Sequence, residues 1–160
     1  MNKLWKHSQE FVAYKKKHSS GKFADYKDPK KRNEVEIRAI GVCGEYAYGK
    51  FTNQPIDLSL YKGRDKGSDF PDGAQVKTVH ARYAWYEPRL SIPKWEFDKY
   101  RPKKYVSAKL SHEWDHVWLM GEISGIRFDR IKVNDDFGFG DRWVVYQGDL
   151  DPIGSNWWRP

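Results

Sequence analysis

The chain has one cysteine, Cys43. A lone thiol forms no internal disulfide and rules out any cysteine-based zinc site. Its neighbours in sequence include nothing that would activate it, so a packing role is expected rather than a nucleophilic one. Long apolar runs are also missing: nothing approaches the ~18 residues a membrane-crossing helix requires. The opening stretch MNKLWKHSQEFVAYKKK is basic but has no apolar centre, so it does not read as a secretion signal. There is no internal repeat and no low-complexity segment. These absences lead to the expectation of a soluble protein of the reducing cytoplasm with no membrane partner.

What is present suits one compact domain of 160 residues. A chain of that length buries roughly 70% of the surface its unfolded form exposes, so it needs no covalent staple. The net charge is +7 and unevenly placed. Residues 1–32 hold ten Lys or Arg against three Asp or Glu, whereas residues 33–160 hold nineteen of each sign. The chain therefore divides into a basic N-terminal helix and arm, 1–32, and an electrically balanced domain, 33–160. A basic arm suits a polyanion, because phosphate contacts release counterions. It equally suits a solvated terminus. Aromatic residues make up 16% of the chain, with eight Trp. They can stack on bases, but packing is their usual use.

Apolar spacing at Leu4, Ser8, Phe11 and Val12 predicts a helix over residues 2–17, followed by an irregular charged link over 18–31. A second, longer helix is expected over residues 28–53, capped by Asp28 before Pro29, with Glu34 and Arg38 paired at i,i+4. Its Gly41, Gly44, Ala47 and Gly49 suggest a helix lying close against a sheet, which would bring Glu45 near that sheet. Strands are expected at 56–61 (IDLSLY) and 74–82 (AQVKTVHAR). IPKWEFDKYRPKK reads as a short helix or loop. KYVSAKL, HVWLMGEISGIRF and RWVVYQGDL read as later strands. The order predicts an α/β class domain with one central sheet and helices on its faces.

The stretch SDFPDGAQVKT carries the chemistry. Asp69 precedes a turn. In the strand that follows, alternation places Gln75 and Lys77 on one face, ~7 Å apart, with Val76, Thr78 and His80 on the other. Many surface hairpins read the same way. The functional reading is a metal site: oxygen ligands from Asp69 and Gln75 suit Mg²⁺, and the Val76 carbonyl is a further donor. Lys77 would sit beside the metal-bound water, kept protonated by nearby carboxylates and able to stabilise developing charge.

GVCGEYAYGKF, GRDKGSDF and AQVKT together resemble the PD-(D/E)xK nuclease superfamily, and more narrowly its small phage- and mobile-element-type members. The likeness covers roughly residues 33–155. It implies a restriction-endonuclease-like fold with a central mixed β-sheet flanked by helices, and Mg²⁺- or Mn²⁺-dependent hydrolysis of DNA. It also implies the cytoplasm, or that of a phage-infected host, as the location. Carried over, Glu45 matches the helix acid, Asp69 the metal-bridging acid and Lys77 the lysine. Gln75 stands where an acid is usual, giving a QxK variant with one negative charge fewer. Glu45 then matters more as the second carboxylate. Lys62, Arg64 and Lys66 flank Asp69, and Arg101, Lys103 and Lys104 form a second basic knot. Each group would suit phosphate contacts, and each equally suits a solvated loop. A homodimer would suit double-strand cutting. The competing class is a non-catalytic nucleic-acid-binding protein on the same scaffold, which Gln75 favours.

HEWDH, residues 112–116, satisfies the H-E-x-x-H pattern of zinc proteases, whose chemistry requires a helix. Strand-like runs on both sides make it a polar turn with incidental histidines.

Overall fold

A computed structural model of the chain describes residues 2–18, 33–58, 67–83, 89–135 and 140–153. It is mixed α/β. Helix α1 (Asn2–His18) and helix α2 (Glu34–Thr52) come first, then strand β1 (Ala74–His80). Strand β2 (Arg89–Pro93) runs directly into helix α3 (Lys94–Lys99). Strands β3 (Lys104–Leu110) and β4 (Val117–Ser124) form a hairpin. Helix α4 (Gly125–Ile131), strand β5 (Val133–Asp135) and strand β6 (Arg142–Tyr146) follow.

Among the described residues the strands divide into two three-stranded sheets rather than the one central sheet expected. The first, ordered β1-β3-β4, is mixed: β1 is parallel to β3, and β3 antiparallel to β4. The second, ordered β2-β6-β5, is antiparallel throughout. Alternation along β1 and β3 gives the mixed sheet two apolar faces. Ala74, Val76, Val106 and Ala108 pack with Tyr48 of α2 and with Phe70. Tyr105, together with Ile123 of β4, packs on the other side with Leu90, Ile92, Phe97, Phe128 and Val145. The mixed sheet is thus sandwiched between α2 and a layer built from the second sheet, α3 and α4.

β4 supplies both faces through a bulge. Ala108 pairs with Leu119 but Ser107 with Gly121, leaving Met120 as the extra residue. Without it Leu119 and Ile123, four residues apart, would share a face. With it Leu119 packs on the α2 side and Ile123 on the other.

Helix α2 begins later than the sequence suggested. Asn33 caps it, its side chain accepting from the Val35 amide at 2.9 Å. Asp28 lies outside the described residues. Glu34 and Glu36 in the first turn and Lys50 in the last complement the helix dipole. The helix ends on Asn53 in the left-handed conformation (φ 53°), and the Gln54 amide donates back to the Gly49 carbonyl at 2.8 Å. Gly44 lies close against the sheet: a Cβ there would lie 1.8 Å from Thr78 Oγ1. Gly41 faces open space, so its smallness serves no such contact.

Helix α1 is packed rather than pendant. Leu4 lies against Ile40, Cys43 and Leu110, Trp5 meets Trp114 edge-on at 5.7 Å, and the Arg38 guanidinium covers the Phe11 ring at 4.3 Å. Cys43 is buried, and burial pushes its thiol up to about 11. That agrees with a packing role.

Other elements differ from expectation in instructive ways. Residues 54–58 are not a strand despite alternating, and 59–61 lie outside the described residues. GIRF is helical because Ser124 caps α4, accepting from the Arg127 amide at 3.2 Å. β2 and β5 were not anticipated: β5 has only three residues, and β2, although buried Leu90 and Ile92 alternate with half-buried neighbours, spans only five. HEWDH is a turn, as expected. Ser111 Oγ accepts from the amides of Asp115 and His116, and Trp114 takes φ 62°. Among the described residues no helix is long and apolar enough to cross a membrane.

Candidate metal and phosphate site

The FPDG turn decides where Asp69 goes. The Gly73 amide donates to the Phe70 carbonyl at 3.0 Å, and Gly73 has φ 84°, which glycine adopts without strain. Asp72 Oδ1 accepts from the Ala74 amide at 3.0 Å, closing the turn. The chain before the turn is folded back along β1. The Asp69 amide donates to the Ala74 carbonyl, and Asp69 Oδ2 accepts from the Val76 amide, each at 2.8 Å. Among the described residues β1 is an edge strand, and Asp69 covers part of that edge. Because the Val76 amide points to Asp69 rather than to β3, the main chain at Val76 faces the outer edge. Asp69 therefore meets the main chain of Val76 through its amide, whereas the sequence reading named the Val76 carbonyl.

Gln75 and Lys77 share a face, again as read. Both reach one group that the sequence reading missed, Glu96 on α3. Gln75 Nε2 donates to Glu96 Oε1 at 2.8 Å, and Lys77 Nζ donates to the same oxygen. Gln75 is only 7% exposed, and its Oε1 has no hydrogen-bond partner. A buried amide oxygen left this way forfeits solvation worth about 1–3 kcal/mol. The only hint of Glu96 in the sequence is its place in the first turn of a six-residue helix. Contact with β1 depends on tertiary packing of residues about twenty apart.

Glu45 sits elsewhere. It is buried on α2, on the layer opposite to α3, and the Arg38 guanidinium reaches it at 3.4 Å. Thr78 and His80 face α2 and the interior, consistent with packing. His80 is fully buried against Trp114, its ring centroids 5.2 Å apart. Burial, then the Arg82 charge, holds its imidazole below the usual range.

Of the basic residues, Lys62, Arg64 and Lys66 lie outside the described residues. Arg101 is exposed and pairs with Asp129 at 3.3 Å. Lys103 is exposed, its stem laid against Gly73. Lys104 is engaged in structure: its ammonium lies 3.3 Å from Asp72 and 3.2 Å from Glu122. Tyr48 donates to Asp72 at 2.8 Å in the same network. Burial works to raise the Asp72 carboxyl. Hydrogen bonds from Tyr48, the Ala74 amide, Gln54 and Lys104 outweigh it and hold the group below the usual carboxylate range. A depressed carboxyl contributes stability that is present above its unfolded pKa and lost as pH falls through its folded value. Acidification below roughly pH 4 should therefore destabilise the parent more than Asp72→Asn. Thermal unfolding at pH 7 and pH 3 measures this; equal losses in both proteins would remove Asp72 from the account.

The oxygens of Asp69, Gln75 and the Val76 main chain are hard donors of the kind Mg²⁺ and Mn²⁺ take, and the orphaned Gln75 Oε1 is a donor in want of a partner. That much fits a metal. No group of three or more His, Cys, Asp or Glu side chains stands ready to hold one among the described residues. HEWDH forms no such group either. An ion here would rest on few acids, with amide and main-chain oxygens making up the set.

Compared with protein-family models, with curated proteins and with solved structures, the chain matches none.

Proposed function

We propose that the protein is a metal-dependent nuclease that hydrolyses DNA phosphodiester bonds on a restriction-endonuclease-like scaffold. The observation that carries this reading is the convergence at β1. Asp69 is folded back onto the Val76 amide, while Gln75 and Lys77 project side by side to a common carboxylate. An ordinary surface hairpin has no reason to bury a glutamine with an unpaired oxygen beside a lysine and two acids.

A bound Mg²⁺ or Mn²⁺ would activate water and offset charge on the phosphate. Asp69, Gln75 and the Val76 carbonyl are the oxygens that would hold it. A second carboxylate has to come from a helix, and the family resemblance names Glu45. Lys77, fixed by its ion pair, is oriented to hold a phosphate oxygen or the attacking water by hydrogen bond. The exposed Lys3, Lys6 and Lys17 of α1, with Arg101 and Lys103, are among the exposed cations of the described residues that a polyanion would meet.

The direct test is digestion of plasmid and branched DNA with Mg²⁺, Mn²⁺ or EDTA. Scission with either ion that EDTA abolishes is expected. Salt-dependent binding without scission under any divalent ion would instead identify a non-catalytic DNA-binding protein.

A further inference from the structure

We infer that Glu96, rather than Glu45, supplies the second carboxylate to the metal, and so replaces the acid that Gln75 lacks. The inference rests on the nuclease reading and names a ligand which that reading left open.

Three observations carry it. Glu96 already touches both functional side chains of β1, through Gln75 Nε2 and Lys77 Nζ. Both contacts use Oε1, so Oε2 is left without a protein hydrogen bond among the described residues. The neighbouring amide oxygen, Gln75 Oε1, is buried and unpartnered. Two hard oxygens without protein partners among the described residues thus sit on adjacent, mutually bonded side chains, next to a lysine. That is the donor chemistry a hard divalent cation takes. Glu45 is placed differently: α2 packs against the Val76 and Thr78 face of β1, and its carboxylate is met by Arg38. To serve a metal at Gln75 it would have to leave that cation and pass round the sheet edge. Glu96 needs no such movement.

The arrangement also explains why glutamine is tolerated at position 75. With an acid there, two carboxylates would face each other across 2.8 Å, where Gln75 Nε2 now donates to Glu96. Like charges at that distance raise one pKa strongly. Gln75 supplies a donor to orient Glu96 and keeps an oxygen for the ion.

The test is calorimetric titration of Mn²⁺ alone into the full chain, without DNA. The parent is compared with Glu96→Gln, Glu96→Asp and Glu45→Gln, each checked for folding by thermal unfolding. Glu96→Gln should weaken Mn²⁺ binding by roughly 10- to 100-fold or more. Glu96→Asp, which keeps the charge, should recover part of the loss. Lys77→Met should tighten binding by removing the cation that competes for Glu96, and should bring no gain when Glu96→Gln is also present. If Glu96→Gln binds Mn²⁺ like the parent, or if Glu45→Gln alone abolishes binding, the assignment of Glu96 is overturned while the nuclease reading stands. If the parent neither binds Mn²⁺ nor cuts DNA, both fall.

Discussion

Lys77→Ala is expected to lower single-turnover DNA cleavage by roughly two to three orders of magnitude while leaving the fold intact. The size follows from losing one preorganised charged donor at a developing negative charge. The fold should survive because Lys77 is partly exposed and its ion pair is with Glu96. Asp69 needs a different variant. Its carboxylate accepts from the Val76 amide as well as facing the proposed ion. Asp69→Ala would orphan that amide, at about 1–3 kcal/mol, and a loss of activity would then be ambiguous. Asp69→Asn keeps an acceptor oxygen for Val76 and removes the charge, so it should fold normally and cut poorly. Cleavage rates measured beside melting curves decide the matter. If Lys77→Ala and Asp69→Asn both cut as fast as the parent, the site is not where the reading puts it.

The second large effect concerns stability. Gly44→Ala would place a methyl 1.8 Å from Thr78 Oγ1, 3.0 Å from its Cβ and 3.2 Å from its Cγ2. Alanine normally favours a helix over glycine by about 1 kcal/mol. Here the contact has to win, because the obstructing atoms belong to a short, β-branched side chain in the sheet and have nowhere to swing. Overpacking of this kind costs about 1–3 kcal/mol, occasionally more. Each kcal/mol should appear as a fall of roughly 2–4 °C in Tm. Adding Thr78→Ala removes the two outer atoms and should recover part of the loss. A Gly44→Ala protein that melts at or above the parent's temperature would show that α2 does not lie against β1 in this register. It would also remove the physical reason for placing Glu45 on the layer opposite to Glu96.

Much of the scaffold is written in local patterns. The period of about 3.6 in residues 2–17, the two-residue alternation of AQVKT and KYVSAKL, and the punctuation of FPDG and HEWDH each act over a few residues. They are legible without knowing what packs on them. Failures came where the deciding partner is distant. IDLSLY alternates, but its described residues, 56–58, join no ladder. RLSIP becomes a strand because β6 is there to pair with it, residue against residue from Arg89 opposite Tyr146 to Pro93 opposite Arg142.

The amino-acid order alone fixed the pairing of Gln75 with Lys77 on one face of β1, since side chains two apart on a strand cannot avoid each other, and it fixed the turn that sends Asp69 back along that strand. Tertiary packing alone decided which helix meets which face. By seating Gly44 on Thr78 it put Glu45 on one layer, and by docking α3 on the other it brought Glu96 to Gln75 and Lys77. Sequence periodicity reports which residues share a side of their own element. It carries no information about what another element, twenty or thirty residues away, will lay against that side.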